Sequence, residues 1–159
     1  MTLEDLEDLA TRNLRIERFK QETWSHQLEA YFLKLRGKLD KIIYSLIRTK
    51  DAGVARELFF RAQEGEQPFA ELAQTYSQGP EAQTGGLVGP IELSNIHPSL
   101  AQILRASQPG RILLPSRLGD WFVVVRLEKL LPARLDKSMR QRLLGELFEA
   151  WIQEQLNSK

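Results

Sequence analysis

The sequence predicts an α+β protein in which a mixed central region lies between two helical ends. Three observations carry this. The prolines stand at 68, 80, 90, 98, 109, 115 and 132, leaving residues 1–67 and 133–159 without any. Glycine is absent before Gly37, and after Pro132 only Gly145 occurs. Both residues punctuate helices, so the ends read as helical and the middle as the place of turns. Runs rich in β-branched and aromatic residues, such as Lys41 to Arg48, fall in the middle and read as strands. The division expected is a helical arm at 1–37, a central domain at 38–131, and a helix at 132–159 packing with the arm.

Each element has its own signal. Thr2 with Asp5 caps a first helix whose apolar stripe, Leu6, Leu9, Ile16 and Phe19, runs along residues 3–22. Ser25 restarts a second helix carrying Leu28, Tyr31 and Phe32, expected to end before Gly37. The strand Lys41–Arg48 follows. Asp51 caps a helix with Ala55, Leu58, Phe59 and Ala62 on one side, and Pro68 suits the first turn of another, Phe69 to Tyr76. Leu87 to Leu93 reads as a short strand that Pro90 confines to an edge. His97-Pro98 opens a helix with Leu100, Ile103 and Leu104. Pro109-Gly110 turns the chain into a strand at Arg111–Pro115, and Arg117–Asp120 forms a hairpin into the strongest strand, Trp121–Leu127. Asp136 caps the last helix, with Met139, Leu143, Leu147, Phe148, Trp151, Ile152 and Leu156 on its stripe. Neither helical end offers a complete core alone, so the stripes should bury against each other or against a partner.

Composition excludes several functions. Twenty-two Lys and Arg against 21 Asp and Glu leave a net charge of +1, without the basic surplus of a nucleic-acid coat. The absence of cysteine removes disulfides, thiolate metal sites and a cysteine nucleophile. Two histidines, His26 and His97, do not make a multi-histidine metal centre, and no cofactor is expected. No run approaches the ~20 apolar residues needed to span a bilayer. The acidic opening Met1-Thr2-Leu3-Glu4-Asp5 lacks a signal-peptide pattern, so no membrane insertion and a cytoplasmic location are expected. Gly85-Gly86-Leu87-Val88-Gly89 lacks the Gly-Lys-Ser/Thr ending of a phosphate loop and runs into a strand.

The stretches Phe69-Ala70-Glu71-Leu72-Ala73, Tyr76-Ser77, Ala82 with Gly85-Gly86 and Gly89, Gln108-Pro109-Gly110 before Pro115, and the final strand into Arg126-Leu127-Glu128 carry a resemblance. Together, over residues 39–130, they resemble the parvulin-type peptidyl-prolyl cis-trans isomerases. The flanking helices resemble those of PrsA- and SurA-like foldase-chaperones, and Leu147-Phe148-Glu149-Ala150-Trp151-Ile152 is similar to short cyanobacterial members of that group. The resemblance implies an FKBP-like four-stranded antiparallel sheet with helices, and clients that are unfolded or proline-containing polypeptides.

It also implies where an active site should lie, and there the chain departs from its relatives. Tyr44 takes the place of the family's first-strand histidine, Gly79 that of its Cys or Asp, Phe122 that of the last-strand histidine, and Leu87 that of the acid after Gly-Gly. Val88, Ile96 and Leu100 take the apolar positions of the prolyl pocket, and His97 a position often filled by Gln. Tyr44 and Phe122 are therefore the expected catalytic positions, and Val88, Ile96, His97 and Leu100 the substrate-binding ones. The activity expected is weak isomerisation of X-Pro bonds. The same residues also read as core packing, or as the groove of a non-catalytic polypeptide-binding module, and the terminal helices as a means of self-association.

Overall fold

The computed structural model describes residues 2–158 and divides into two compact units. One comprises the segments up to Arg36 and from Arg134; the other is Gly37–Ala133.

The first unit is helical. Helix α1 (Leu3–Trp24) starts at a capping box in which Asp5 N donates to the Thr2 hydroxyl and Thr2 N to the Asp5 carboxylate, each at 3.1 Å. Those bonds to its charged form hold the Asp5 carboxyl below its ordinary value. A short 3-10 turn, Ser25–Gln27, leads into α2 (Leu28–Leu39). Helix α6 (Lys137–Asn157) is capped by Asp136, which accepts from Met139 N at 2.8 Å. The second half of α1 meets α6 through aromatic rings. Phe19 lies 5.3 Å from Trp151 and 6.2 Å from Phe148, and Trp24 6.3 Å from Phe148. Such tilted and edge-on pairs each contribute about 0.5–1.5 kcal/mol beyond their buried area. Trp24, Leu28, Phe32, Leu143 and Leu144 are buried, whereas residues 2–15 are exposed throughout.

The second unit is built on an antiparallel sheet of order β2-β1-β4-β3, with β1 at Lys41–Thr49, β2 at Leu87–Glu92, β3 at Ser116–Leu118 and β4 at Trp121–Leu131. Helices α3 (Ala52–Gln63) and α4 (Phe69–Tyr76) cover one face. There Ala55, Leu58, Phe59, Phe69, Leu72 and Ala73 close on Ile47 and Val124. Helix α5 (Pro98–Arg105) covers the other, where Leu100 and Leu104 pack with Ile42, Tyr44, Leu46, Val123, Val125 and Leu127. Strand residues alternate between the two clusters because successive side chains point to opposite faces. Asp51 caps α3 by accepting from Gly53 N and Val54 N, and Pro68 immediately precedes α4. The Pro90-bearing strand β2 lies at an edge, where a missing donor is tolerated.

Two expectations need correction. Helix α2 does not end before Gly37 but runs through it to Leu39. An interior glycine costs a helix only about 1 kcal/mol relative to alanine, and here the Arg105 guanidinium lies 2.9 Å from where its Cβ would stand. Nor is Arg111–Pro115 a strand. Only Ile112 bridges β4, opposite Arg126, and the paired strand begins at Ser116 after the proline.

Candidate functional site

The candidate site lies on the α5 face of the sheet. Tyr44 is buried there, opposite Val88 across β1–β2 and opposite Leu127 across β1–β4. Leu100 reaches it from α5 and is equally buried. Around this floor the apolar side chains are only half-buried: Val88, Ile96, Leu118 and Trp121. A buried floor with a partly open apolar rim is a surface able to accept a small ring.

The loop between α4 and β2 enters through glycine. At Gly86, φ is +85° and an added Cβ would stand 2.8 Å from Leu46 O and 2.9 Å from Ala73 Cβ. Only glycine fits that turn at that distance. In return Leu46 N donates to Gly86 O at 2.8 Å, tying the loop to β1 beside Tyr44.

The polar part of the site was not apparent from the sequence. Along β1, Arg48 follows Tyr44 and Leu46 on the same face, and its Nε donates to Glu81 Oε1 at 2.7 Å. Ser77 Oγ donates to the same oxygen at 2.9 Å and accepts from Arg48 N at 3.1 Å. The Glu81 side chain is 3% exposed and that of Arg48 30%; Glu81 Oε2 has no hydrogen-bond partner among the described residues. The Arg48 guanidinium lies 5.6 Å from the centroid of the Trp121 ring and Lys50 Nζ 5.2 Å from it. Burial raises the Tyr44 phenol above its ordinary pKa; Arg48 pulls it back and Glu81 pushes it further up. The phenol therefore stays protonated at neutral pH and keeps a hydrogen-bond donor.

Gly79 sits in the midst of this cluster. A Cβ there would collide with Arg48 Nε and both Glu81 carboxylate oxygens. The space that a side chain at 79 would need is taken by the ion pair.

Of the residues expected in the site, the structure brings Tyr44, Val88, Ile96 and Leu100 to one cluster. It does not bring Phe122 to them. Phe122 packs on the opposite face, against the cluster of Ile47, Phe59 and Phe69, because on β4 it shares its parity with Val124 rather than with Val123. The aromatic residue on the Tyr44 face at that end of β4 is Trp121. His97 is exposed and caps α5, its Nδ1 accepting from Ser99 N at 3.1 Å. Ile96 also lines a separate cleft of about 670 Å3 with Leu93, Pro98, Ala101 and Arg105. Among the described residues no group of three or more His, Asp or Glu side chains is placed to hold a metal ion. No helix there is long and apolar enough to cross a membrane.

The chain is similar to known proteins over most of its length. Residues 33–129 match the family model for rotamases, the PPIC-type PPIASE domain. The fold is similar to PrsA, a peptidylprolyl isomerase of Bacillus anthracis, at 18% identity and a TM-score of 0.59, over 85% of this chain and 59% of that one. The chain thus spans well under two thirds of that relative. It is also similar to a SurA-like chaperone of Campylobacter jejuni (PEB4 or Cj1289), at 17% identity and a TM-score of 0.55, over 99% of this chain and 71% of that one. The parvulin domain of Escherichia coli PpiD is 25% identical with a TM-score of 0.53, over 63% of this chain and 97% of the domain. No curated protein matches the chain by sequence.

Proposed function

Since the chain belongs to the family of PPIC-type peptidyl-prolyl isomerases, we propose that it accelerates cis-trans exchange of X-Pro bonds in polypeptide clients through the groove over Tyr44 and Leu100. The observation that carries this reading is the buried floor with its half-open rim of Val88, Ile96 and Trp121.

Rotation about the peptide bond faces a barrier of about 18–20 kcal/mol because resonance stiffens the C–N bond. No proton transfer, covalent intermediate or cofactor is needed to lower it. Removing water from the carbonyl that precedes the proline disfavours the charge-separated planar amide relative to the twisted transition state, in which nitrogen and carbonyl are decoupled. Val88 and Trp121 supply the apolar grip over Leu100, and the Tyr44 hydroxyl supplies a donor for the prolyl nitrogen, whose lone pair is freed in the twisted state. With Arg48 Nε committed to Glu81, the two terminal guanidinium nitrogens are the donors left to a client carbonyl outside the rotating bond, where they position the chain. This is a smaller polar complement than the family's own, so the expected acceleration is modest.

The test is NMR exchange spectroscopy on proline-containing peptides. Exchange should speed up on adding the protein, and the acceleration should fall in Trp121→Ala. No acceleration for any of several X-Pro sequences would overturn the catalytic reading. A second reading, polypeptide binding without catalysis, is favoured by one feature: the position of Gly79 carries no reactive side chain and its space is filled by an internal ion pair. Peptide shifts at the groove without exchange acceleration would establish it instead. Self-association through the terminal helices is read independently of the groove.

A further inference from the structure

Among the described residues nothing covers the first half of α1, and its pattern says what does. Leu3, Leu6, Ala10 and Leu14 follow at spacings of three and four, a single stripe, yet Leu3 is 74%, Leu6 49% and Leu14 70% exposed. Its charges are unevenly distributed. Glu4, Asp5, Glu7 and Asp8 occupy the first turns, where no basic residue falls; Arg12, Arg15, Arg18 and Lys20 occupy the later ones, with Glu17, paired to Lys20 at 3.3 Å, and Glu22 among them. Glu4, Glu7, Arg15 and Arg18 are spaced by three and eleven residues, so all four stand along the same shoulder of the stripe. None of them takes part in the ion pairs found among the described residues.

We propose that α1 pairs antiparallel with α1 of a second copy of this chain, leucine stripe against leucine stripe. This commits the reading that the terminal helices self-associate to one face and one orientation, and it rests on that reading. The register that sets Glu4 against Arg18 of the partner subunit also sets Glu7 against Arg15 of the partner subunit. The two-fold axis then repeats both pairs, as an isologous contact requires. The crossing falls at Ala10 and Thr11, small residues that let the helices approach, and the Thr11 hydroxyl is already satisfied by Glu7 O at 2.9 Å. Parallel pairing would set acid against acid and base against base, so charge selects the antiparallel arrangement. An unfolded client offers no fixed block of complementary charge; a second α1 does. Two helices of this length bury less than a standard-size interface, so the association should depend on concentration and weaken with salt.

Sedimentation velocity on the full chain tests this. Wild type should shift from monomer to dimer with concentration and return to monomer in high salt. The double variants Glu4→Lys/Glu7→Lys and Arg15→Glu/Arg18→Glu should each associate about tenfold or more weakly, since four attractive pairs become repulsive. An equimolar mixture of the two should dimerise. Leu6→Ser/Leu14→Ser should also be monomeric, with unchanged far-UV circular dichroism, because these side chains are exposed in the single chain. A dimer insensitive to both charge variants would overturn this register while leaving self-association standing. A wild type monomeric at every concentration would overturn both. So would α1-dependent binding of a monomer to anionic lipid vesicles, which would assign the stripe to a membrane surface.

Discussion

At the scale of single residues, Gly79 and Tyr44 carry the informative chemistry. Restoring the family's side chain by Gly79→Cys should not restore a parvulin site. It should destabilise the fold by roughly 1–3 kcal/mol, because the new Cβ must displace the Arg48–Glu81 pair; urea melts would measure it. Arg48→Ala should cost roughly 2 kcal/mol. That lies below the range for a fully buried pair because Arg48 is partly solvated, but it is substantial because the Glu81 carboxylate is left buried without its cation. For Tyr44 the sign of the pH effect follows from burial. The neutral phenol is the form the folded state favours, so any Tyr44 contribution to exchange persists through neutral pH and fades only above the raised pKa. The linked stability is complete below the ordinary tyrosine value of 10.0 and is lost as pH rises through the folded value. Exchange rates measured against pH in wild type and Tyr44→Phe would check this, the variant running lower by a factor that stays constant until that alkaline limb.

At the scale of elements, β4 separates two aromatic neighbours that matching the sequence to its family could not tell apart. Trp121 and Phe122 are adjacent, and one faces the groove while the other faces α3 and α4. Phe122→Ala should cost roughly 2–4 kcal/mol of stability and leave peptide binding by the folded protein intact. Trp121→Ala should weaken peptide binding at smaller cost to the fold. Titration of a proline peptide followed by NMR shifts, alongside denaturant melts, distinguishes the two. The strand itself was legible in the sequence; the face each residue takes was not, since parity is set by pairing with β1 and a one-position slip reverses every side chain. Local chemistry was the readable part. Asp51 and Asp136 accept the amide protons that capping predicts, and Pro68, Pro90 and Pro98 stand where a missing donor is harmless. The Arg48–Glu81 pair was not readable, because its members lie on different elements 33 positions apart and nothing local marks either. Positions 111–115 misled because an apolar run between prolines looks like a strand, whereas only Ile112 finds a partner.

At the scale of the whole molecule, the two compact units differ in how they are drawn from the chain. Gly37–Ala133 is one continuous stretch with apolar clusters on both faces of its sheet. Expressed alone, it should unfold cooperatively and retain groove binding; thermal melts and peptide titration of that segment would show it. The helical unit draws on both flanks of the sequence, and its ring cluster joins Phe19 and Trp24 to Phe148 and Trp151. Trp151→Ala should therefore loosen that unit and leave the chemical shifts of the sheet in place, as amide spectra would report.

That discontinuity has a consequence for biosynthesis. A ribosome delivers α1 before the sheet, but the aromatic partners of α1 emerge only after the intervening sheet has been translated in full. The inserted domain can finish folding while that helix still waits. During that interval Phe19 and Trp24 have only each other to pack against, so the aromatic clasp closes after the sheet does.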